Sequence, residues 1–148
     1  MMDELDELIL KELRKDARQS YRKIAGNLKV ATGTIQNRIQ KMEKDKLIKG
    51  YRVDIDYQKL GYNISAIIAI CIDRFKIKEV EEKLKKNPHI FGVYTVTGEY
   101  DLFLSVSFKT MTQLNEFITD ELKDSAIIKS VTFMILGTEK EEHTFLTG

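Results

Sequence analysis

Disulfides and membrane spans are the first structures that this sequence excludes. Cys71 is the only cysteine, so no internal disulfide can form, and this favours a reducing cytoplasm. No stretch approaches the roughly 18 consecutive apolar residues of a membrane span. The first four residues, Met1 to Glu4, lack the basic and apolar pattern of a secretory signal. A cytoplasmic globular protein without a membrane partner is therefore predicted.

The net charge of the chain is also small, but the charged residues are unevenly distributed along it. The net charge is +1. Residues 17–52 contain ten basic and two acidic residues, a net charge of +8, whereas residues 53–148 contain 11 basic and 15 acidic residues, a net charge of −4. A basic module joined to a mildly acidic one is typical of a head that binds a polyanion and a separate body. The alternative is that a lysine-rich surface only keeps the protein soluble.

The first third of the chain is predicted to form three helices, over residues 3–15, 21–28 and 32–46. Apolar residues recur in each segment at the helical spacing of three and four. Ser20 precedes the second helix and is its predicted N-cap. The residues predicted to face one small shared core are Leu5, Leu8, Ile9, Leu13, Ile24, Ala25, Leu28, Ile35, Ile39 and Met42.

After Gly50 the periodicity changes to that of strands. Alternation predicts a strand over residues 51–56, with one solvated face. The order from residue 64 onward is β-α-β-β-α-β, with the only proline, Pro88, ending the first of the two helices. That order predicts a ferredoxin-like sheet of four antiparallel strands with both helices on one face, and hence an α+β protein. The predicted strands cover residues 64–72, 90–97, 101–108 and 127–136, and the predicted helices cover residues 77–86 and 110–122.

Residues 21–40 have the pattern of a DNA-binding helix-turn-helix. Two helices that cross closely need a small residue on the first, which Ala25 supplies, and a tight turn flanked by apolar anchors. The anchors are Ile24, Leu28, Val30 and Ile35. The alternative is a three-helix packing module that never meets DNA.

The third predicted helix has a face without acidic residues. When Ile35, Ile39 and Met42 are buried, a rotation of roughly 100° per residue places amides and lysines on the opposite side. Amides can pair with adenine edges, and lysines with guanine edges or phosphates. Arg38 lies near the buried edge, where a structural ion pair or a phosphate contact is predicted. Together with the start of the second helix, the predicted DNA-contacting residues are Ser20, Tyr21, Arg22, Thr32, Gly33, Thr34, Gln36, Asn37, Arg38, Gln40, Lys41 and Lys44.

Several short motifs, taken in order, resemble those of one known family. The two most diagnostic are Leu60-Gly61-Tyr62 and Thr97-Gly98-Glu99-Tyr100-Asp101. Earlier ones are Leu5-Asp6, Ile9-Leu10, Asp16-Ala17-Arg18, Ile24-Ala25, Gly33-Thr34-Ile35-Gln36-Asn37-Arg38-Ile39 and Leu47-Ile48-Lys49-Gly50-Tyr51. Their order and spacing are similar, over essentially the full length, to the Lrp/AsnC family of feast/famine regulators.

The resemblance implies three segments and a function. Residues 1–50 would form a winged helix-turn-helix, residues 51–62 a hinge strand and linker, and residues 63–148 a ferredoxin-like effector-binding and oligomerisation domain. The implied function is regulation of transcription through double-stranded DNA, with homodimers that join their sheets face to face and assemble further into tetramers or octamers. The resemblance implies no enzymatic activity, and neither a cofactor nor a metal is predicted.

The resemblance also implies an amino-acid effector at one turn of the second domain. Its site would be Gly98, Glu99, Tyr100 and Asp101. A glycine turn exposes backbone N–H groups for a carboxylate, and Asp101 can pair with an ammonium group. The alternative is a plain hairpin built from residues that favour turns.

The chain departs from the family pattern in and just after the turn between its second and third helices. The family usually carries glycine and then a serine cap, where this chain has Lys29 and Ala31. If Lys29 must adopt a positive φ, the strain is about 1 kcal/mol. The missing cap costs about 1 kcal/mol as well, unless Thr32 caps the helix instead. Gln36 stands where arginine is frequent, so the operator sequence is expected to differ from those of relatives.

Two other functions stay open from the sequence. Some haem-pathway decarboxylases resemble this family in both domains, so an enzyme is one of them. That chemistry needs clustered His, Arg or Tyr, whereas the two histidines, His89 and His143, are far apart in the sequence. The other is a scaffold or sensor that no longer reads DNA, and the acid-free face of the third helix argues against it.

Overall fold

The computed structural model describes residues 2–140, which divide into two compact units. The first unit ends at Asp54 and the second begins at Ile55. In the described part of the chain no helix is long and apolar enough to cross a membrane. His143 and the end of the predicted third segment, residues 141–148, lie outside the described residues.

The first unit contains three helices, α1 (Glu4–Lys15), α2 (Tyr21–Leu28) and α3 (Thr32–Lys44). Their bounds agree with the predicted ones to within two residues. The helices share one core because each turns a narrow apolar face inward. The buried residues of that core are Ile9, Leu13, Ile24, Ala25, Ile35, Ile39 and Met42. Leu8, which was predicted to face it, is exposed instead, since it lies at the edge of the apolar face of α1.

No strand forms over residues 51–56, where the alternation predicted one. A strand exists only by hydrogen bonding to a neighbour, and within residues 2–140 this segment has no neighbouring strand with which to pair. The side chain of Val53 is largely exposed, and those of Tyr51 and Ile55 are about half exposed. The prediction of a strand over residues 51–56 is therefore wrong for the single chain.

The second unit is a four-stranded antiparallel sheet with helices on one face. The strands are β1 (Ile64–Ile72), β2 (Ile90–Thr95), β3 (Leu102–Phe108) and β4 (Ile127–Met134), in the order β2-β3-β1-β4. The helices are α4 (Ile77–Leu84) and α5 (Met111–Glu116), and α5 continues as one π-helical turn, Phe117–Glu121. This is the predicted ferredoxin-like topology.

The two faces of this sheet differ in composition and cover. Alternate residues of β1 and β3 pack under the helices and are buried: Ala66, Ile68, Ile70, Ile72, Leu102, Leu104, Val106 and Phe108. The other face carries Ile67 and Ala69 in the middle, with Tyr94 and Phe133 toward the two sheet edges. Tyr94 is 56% exposed and Phe133 is 52% exposed, so this second face is apolar but uncovered in the single chain.

Candidate nucleic-acid interface and effector turn

The start of α2 is set by a side-chain cap. Ser20 has an extended backbone, and its hydroxyl accepts a hydrogen bond from the backbone N–H of Lys23 at 3.2 Å. This satisfies one of the amides that a helix N-terminus leaves unpaired, which confirms the predicted N-cap. Tyr21 is half-buried against the core, and Arg22 is exposed in the first turn of α2.

The turn between α2 and α3 is closed by a residue in the left-handed conformation. Lys29 has φ 56° and ψ 42°, and its backbone N–H donates to the carbonyls of Ala25 and Gly26. The sequence left the conformation of Lys29 open, and the structure shows that its φ is positive. A lysine therefore occupies a position that glycine tolerates better by about 1 kcal/mol.

The N-terminus of α3 has no side-chain cap. Ala31 occupies the N-cap position with an extended backbone, and no side chain hydrogen-bonds there. Thr32 is the first residue of the helix and does not replace the missing cap. The backbone carbonyl of Ala31 still accepts from the amides of Thr34 and Ile35, so the helix begins at the expected place.

The exposed side of α3 agrees with the helical rotation predicted from its buried stripe. Ile35 and Ile39 are fully buried and Met42 nearly so. Thr34 and Arg38 are half-buried at the margin. The remaining predicted contact residues of α3 are exposed, namely Thr32, Gly33, Gln36, Asn37, Gln40, Lys41 and Lys44. A continuous surface of amides and lysines, free of acidic side chains, therefore lies opposite the core.

Gly33 lies on this surface, and packing within the protein does not require a glycine at this position. A Cβ atom added there would meet nothing within 4 Å, and its backbone is ordinary helix. The protein itself therefore leaves room for a side chain at this point. A glycine at the first turn of α3 leaves the backbone accessible for close approach by another molecule.

Arg38 forms the structural ion pair that the sequence allowed. Its Nη1 donates to the carboxylate of Asp3 and lies 3.3 Å from Oδ1 of Asp6. The backbone N–H of Asp6 and the Arg38 guanidinium both hydrogen-bond to Asp3 and lower its pKa. Asp3 in turn raises the pKa of Arg38. Sequence periodicity could not identify these partners, because they lie more than thirty residues away in the chain.

Tyr51 is a second residue that sequence reasoning missed. Its hydroxyl donates to Glu43 Oε1 at 2.8 Å. Partial burial and this hydrogen bond raise the pKa of Tyr51 to about 12. The bond ties the start of the segment after α3 back to the C-terminal turn of α3, and it occupies one of the two acidic side chains of the basic stretch.

The predicted effector turn connects β2 and β3. Gly98 has φ +117°, which only glycine adopts without strain, and a Cβ there would meet nothing within 4 Å. The turn is closed by a hydrogen bond from the Val96 N–H to the Asp101 carbonyl at 3.0 Å. Residues 98–101 thus lie together in one loop, in which Gly98 and Glu99 are exposed and Tyr100 and Asp101 are half-buried.

Two charged side chains of this loop have partners within the protein. Asp101 Oδ2 accepts from the backbone N–H of Ile72 at 2.7 Å. Glu99 Oε1 forms an ion pair with Lys129 Nζ of β4 at 3.0 Å. The same ammonium lies 5.1 Å from the centroid of the Tyr100 ring, within the range of a cation–π contact. Lys129 was not predicted, because only the sheet register brings it beside the turn.

His89 lies in the turn immediately before β2, where its contacts are structural. Its backbone N–H donates to Asn87 Oδ1 at 2.8 Å, and its ring stacks on Phe108 with the centroids 4.7 Å apart. A shallow cavity of about 250 Å³ beside it is lined mainly by acidic and aromatic side chains. Among residues 2–140, no group of three or more His, Cys, Asp or Glu side chains could hold a metal ion.

The geometry defines a helix-turn-helix protein whose second unit is a ferredoxin-like sheet domain, and the comparisons with known proteins agree. The AsnC-type helix-turn-helix domain matches residues 2–43, and the Lrp/AsnC ligand binding domain matches residues 65–145. An HTH-type transcriptional regulator of Pyrococcus abyssi is 40% identical over 142 residues, which are 96% of this chain and 97% of the relative. The regulatory protein AsnC of Haemophilus influenzae is 36% identical over 90% of each chain.

Solved structures show the same architecture. AsnC of E. coli superimposes with a TM-score of 0.92 at 25% identity, over 97% of this chain and 98% of that one. A transcriptional regulator of Neisseria meningitidis, solved in complex with L-methionine, has a TM-score of 0.94 at 17% identity, over 99% and 97%. The chain belongs to the Lrp/AsnC family of HTH-type transcriptional regulators, with a ligand-binding domain. Its relatives are regulators and not enzymes, as the sequence predicted.

Proposed function

We propose that this protein is a cytoplasmic, sequence-specific regulator that reads the DNA major groove with α3. The observation that carries the proposal is the acid-free surface of α3 opposite its buried stripe. A dimer would present two copies of α3 to half-sites separated by about one DNA turn or a multiple of it. Basic residues would supply a salt-dependent share of the affinity by contacting phosphates.

The contacts are divided by chemistry. Asn37, Gln36 and Gln40 offer amides that suit adenine edges, and Lys41 and Lys44 suit guanine edges or phosphates. Thr32, Gly33 and Thr34 form the first turn of α3, where base edges are approached in helix-turn-helix complexes. Ser20, Tyr21 and Arg22 surround the N-terminus of α2, which suits a phosphate group.

Self-association is proposed through the uncovered face of the sheet. An apolar sheet face needs a cover, and a second copy of the chain is the simplest one. Tyr94 and Phe133 expose large apolar side chains there. The assembly would be a homodimer, able to build tetramers or octamers. Phe133→Glu should dissociate the dimer on size-exclusion chromatography with light scattering, and an unchanged mass would contradict this interface.

An amino acid is the proposed effector, bound by Gly98, Glu99, Tyr100 and Asp101. The match to a ligand-binding domain and the methionine complex of the Neisseria regulator support this class of ligand. A screen of the twenty amino acids by thermal shift tests it. At least one should raise the melting temperature of the wild type, and Gly98→Val should abolish that shift. A screen without any response would count against the proposed class.

The DNA-binding proposal is tested by selection from a random duplex library. Wild-type protein should enrich a defined sequence, bind it at least tenfold more tightly than bulk competitor, and lose this affinity in Asn37→Ala/Lys44→Ala. A matched control is Asn63→Ala/Lys78→Ala, which removes the same groups from exposed positions in the second unit. Removal of a good base contact costs roughly 1–3 kcal/mol.

Two outcomes would reject the groove-facing assignment. One is uniform weak binding of the wild type with no enriched sequence. The other is full affinity in Asn37→Ala/Lys44→Ala at an unchanged oligomeric mass. The oligomeric mass of the variant should equal that of the wild type, because neither residue lies on the sheet.

A further inference from the structure

We propose that Arg38, held by Asp3 and Asp6, fixes the position of α3 against α1, so that it supports DNA binding as a positioning residue and not as a phosphate contact. This inference rests on the proposed DNA-binding function. It concerns the orientation of the exposed α3 surface. Neither the burial of the apolar stripe of α3 nor the composition of its surface determines that orientation.

The guanidinium joins two helices at a defined point. Arg38 lies in the middle of α3, and its two acceptors lie at the N-terminus of α1. Nη1 donates to Asp3 and lies 3.3 Å from Oδ1 and 3.4 Å from Oδ2 of Asp6. The Asp6 side chain is only 7% exposed and that of Arg38 is 34% exposed, so solvent ions screen the Arg38–Asp6 contact less than a surface pair. The Asp3 side chain is 49% exposed, so its contact with Arg38 is screened more.

The two carboxylates are themselves held by the backbone. Asp3 Oδ1 accepts from the Asp6 N–H at 3.0 Å, and Asp6 Oδ2 accepts from the Asp3 N–H at 3.1 Å, which is a reciprocal capping box. Their positions are therefore fixed by the first turn of α1. Arg38 binds a preformed pair of acceptors on α1. Its hydrogen bonds therefore fix the position of α3 relative to α1.

Apolar packing alone would leave α3 less constrained. Contacts of Ile35 and Ile39 with the core are non-directional, so the burial of these residues does not by itself set the rotation of the helix to a single value. Charged hydrogen bonds are directional and short. Asn37 is the neighbour of Arg38 and points toward the proposed groove surface, so a shift of α3 that loosens Arg38 would also misplace an amide that reads a base.

The local charges argue against a phosphate contact by Arg38. Two carboxylates surround one guanidinium, so the cluster has a net charge of −1 and does not attract a phosphate. If Arg38 turned toward DNA, Asp6 would remain as an almost buried carboxylate without its cation, which is costly. In the described structure the arginine is thus committed to the protein.

Neutralising the acceptors gives a test in which the two roles predict opposite signs. In Asp3→Asn/Asp6→Asn the N-cap is retained, because asparagine is as good an N-cap as aspartate. The amide oxygen at position 6 can still accept from the backbone N–H of position 3. Removal of two negative charges per chain should strengthen DNA binding if only electrostatics mattered. We expect at least fivefold weaker binding to the duplex enriched by the wild type. Equal or tighter binding by this variant would overturn the proposal.

A second variant removes the guanidinium of Arg38, and the salt dependence of its DNA affinity is measured. Arg38→Gln should weaken binding at least fivefold with the wild-type slope of log K against log salt concentration. The matched variant Lys44→Gln, which removes a proposed DNA contact, should flatten that slope by about one for each contacting chain. If Arg38→Gln flattens the slope as Lys44→Gln does, Arg38 touches a phosphate and the proposal fails.

Non-additivity and folding complete the experiment. Asp3→Asn/Asp6→Asn/Arg38→Gln should bind no more weakly than Arg38→Gln alone, since all three substitutions break one contact. Circular dichroism at the binding temperature selects variants that are folded, and Asp3→Asn alone, at a half-exposed site, serves if the double variant unfolds. A wild type that enriches no sequence refutes the proposed function, whereas a binding wild type with an unaffected neutral variant refutes only this inference.

Discussion

The carboxylate of Asp101 accepts a hydrogen bond from the backbone N–H of Ile72 at 2.7 Å. The last β1–β3 pair of the sheet is Ile70 with Leu102, so Ile72 has no strand partner on that side. A bulge between Cys71 and Ile72 disturbs the pairing with β4 at the same point. Asp101 therefore completes the end of β1, a structural task that is separate from any contact with an effector.

Replacement of Asp101 should test its structural task at the end of β1. Asp101→Ala leaves the amide of the buried residue Ile72 without an acceptor and should lower the free energy of unfolding by roughly 1–3 kcal/mol. Asp101→Asn keeps an oxygen acceptor and should lose less than half of that. Urea denaturation of both variants measures the difference. Equal midpoints for the two variants would contradict the structural role of the carboxylate.

Local structure was largely predictable from the sequence, whereas long-range partners were not. The bounds of α2 and β1 agree with the prediction to the residue. Each element has an apolar periodicity that ends at polar residues, and this pattern depends only on the local sequence. Periodicity does not report which neighbour covers an element. The alternation of residues 51–56 predicted a strand, but no partner strand lies beside it in the described chain.

The candidate site shows the same division. The exposed face of α3 follows from helical rotation and was predicted in full. The acceptors of Arg38 and the proximity of Lys129 to Tyr100 depend on how helices and strands are brought together in three dimensions. One sequence without coordinates contains no local signal for either pair.

The left-handed conformation of Lys29 predicts that glycine would stabilise the turn. Lys29→Gly should raise the free energy of unfolding by up to about 1 kcal/mol, because glycine adopts φ 56° without steric strain. The matched control is Lys23→Gly, which removes the same charge from inside α2 and should cost about 1 kcal/mol. Chemical denaturation compares the two. A loss of stability in Lys29→Gly would mean that the lysine side chain contributes more than its backbone strain costs.

The open space at Gly33 predicts opposite effects on stability and DNA binding. Gly33→Ala should raise the free energy of unfolding by about 0.5–1 kcal/mol, because alanine favours the helix and meets no atom. The added methyl group should also weaken binding to the selected duplex, since it stands where α3 approaches the groove. Gly26→Ala, in the exposed part of α2 with equally open space, should give the same stabilisation without loss of affinity. Retention of full affinity in Gly33→Ala would show that the first turn of α3 stays away from DNA.

Glu12 predicts part of the acid sensitivity of the first unit. Its carboxylate accepts from Lys15 Nζ at 2.6 Å within α1 and from Asn27 Nδ2 at 2.6 Å, and the second bond joins α1 to α2. The hydrogen bond from Lys15 and then that from Asn27 lower the pKa of Glu12 below the ordinary value of 4.5. A lowered pKa means that the folded state holds the charged form more strongly than the unfolded state does. The stabilisation is therefore complete above about pH 4.5 and is lost as the pH falls through the lowered pKa.

Glu12→Gln isolates this contribution, because the glutamine side chain can still accept a hydrogen bond from Asn27 but carries no charge at any pH in this range. Its melting temperature should lie below that of the wild type at neutral pH, and the two should converge as the pH is lowered from 5 toward 2. Thermal unfolding followed by circular dichroism at a series of pH values gives both curves. Two parallel curves over this range would show that the charge of Glu12 adds nothing to the α1–α2 contact, and that hydrogen bonding alone holds the two helices at this point.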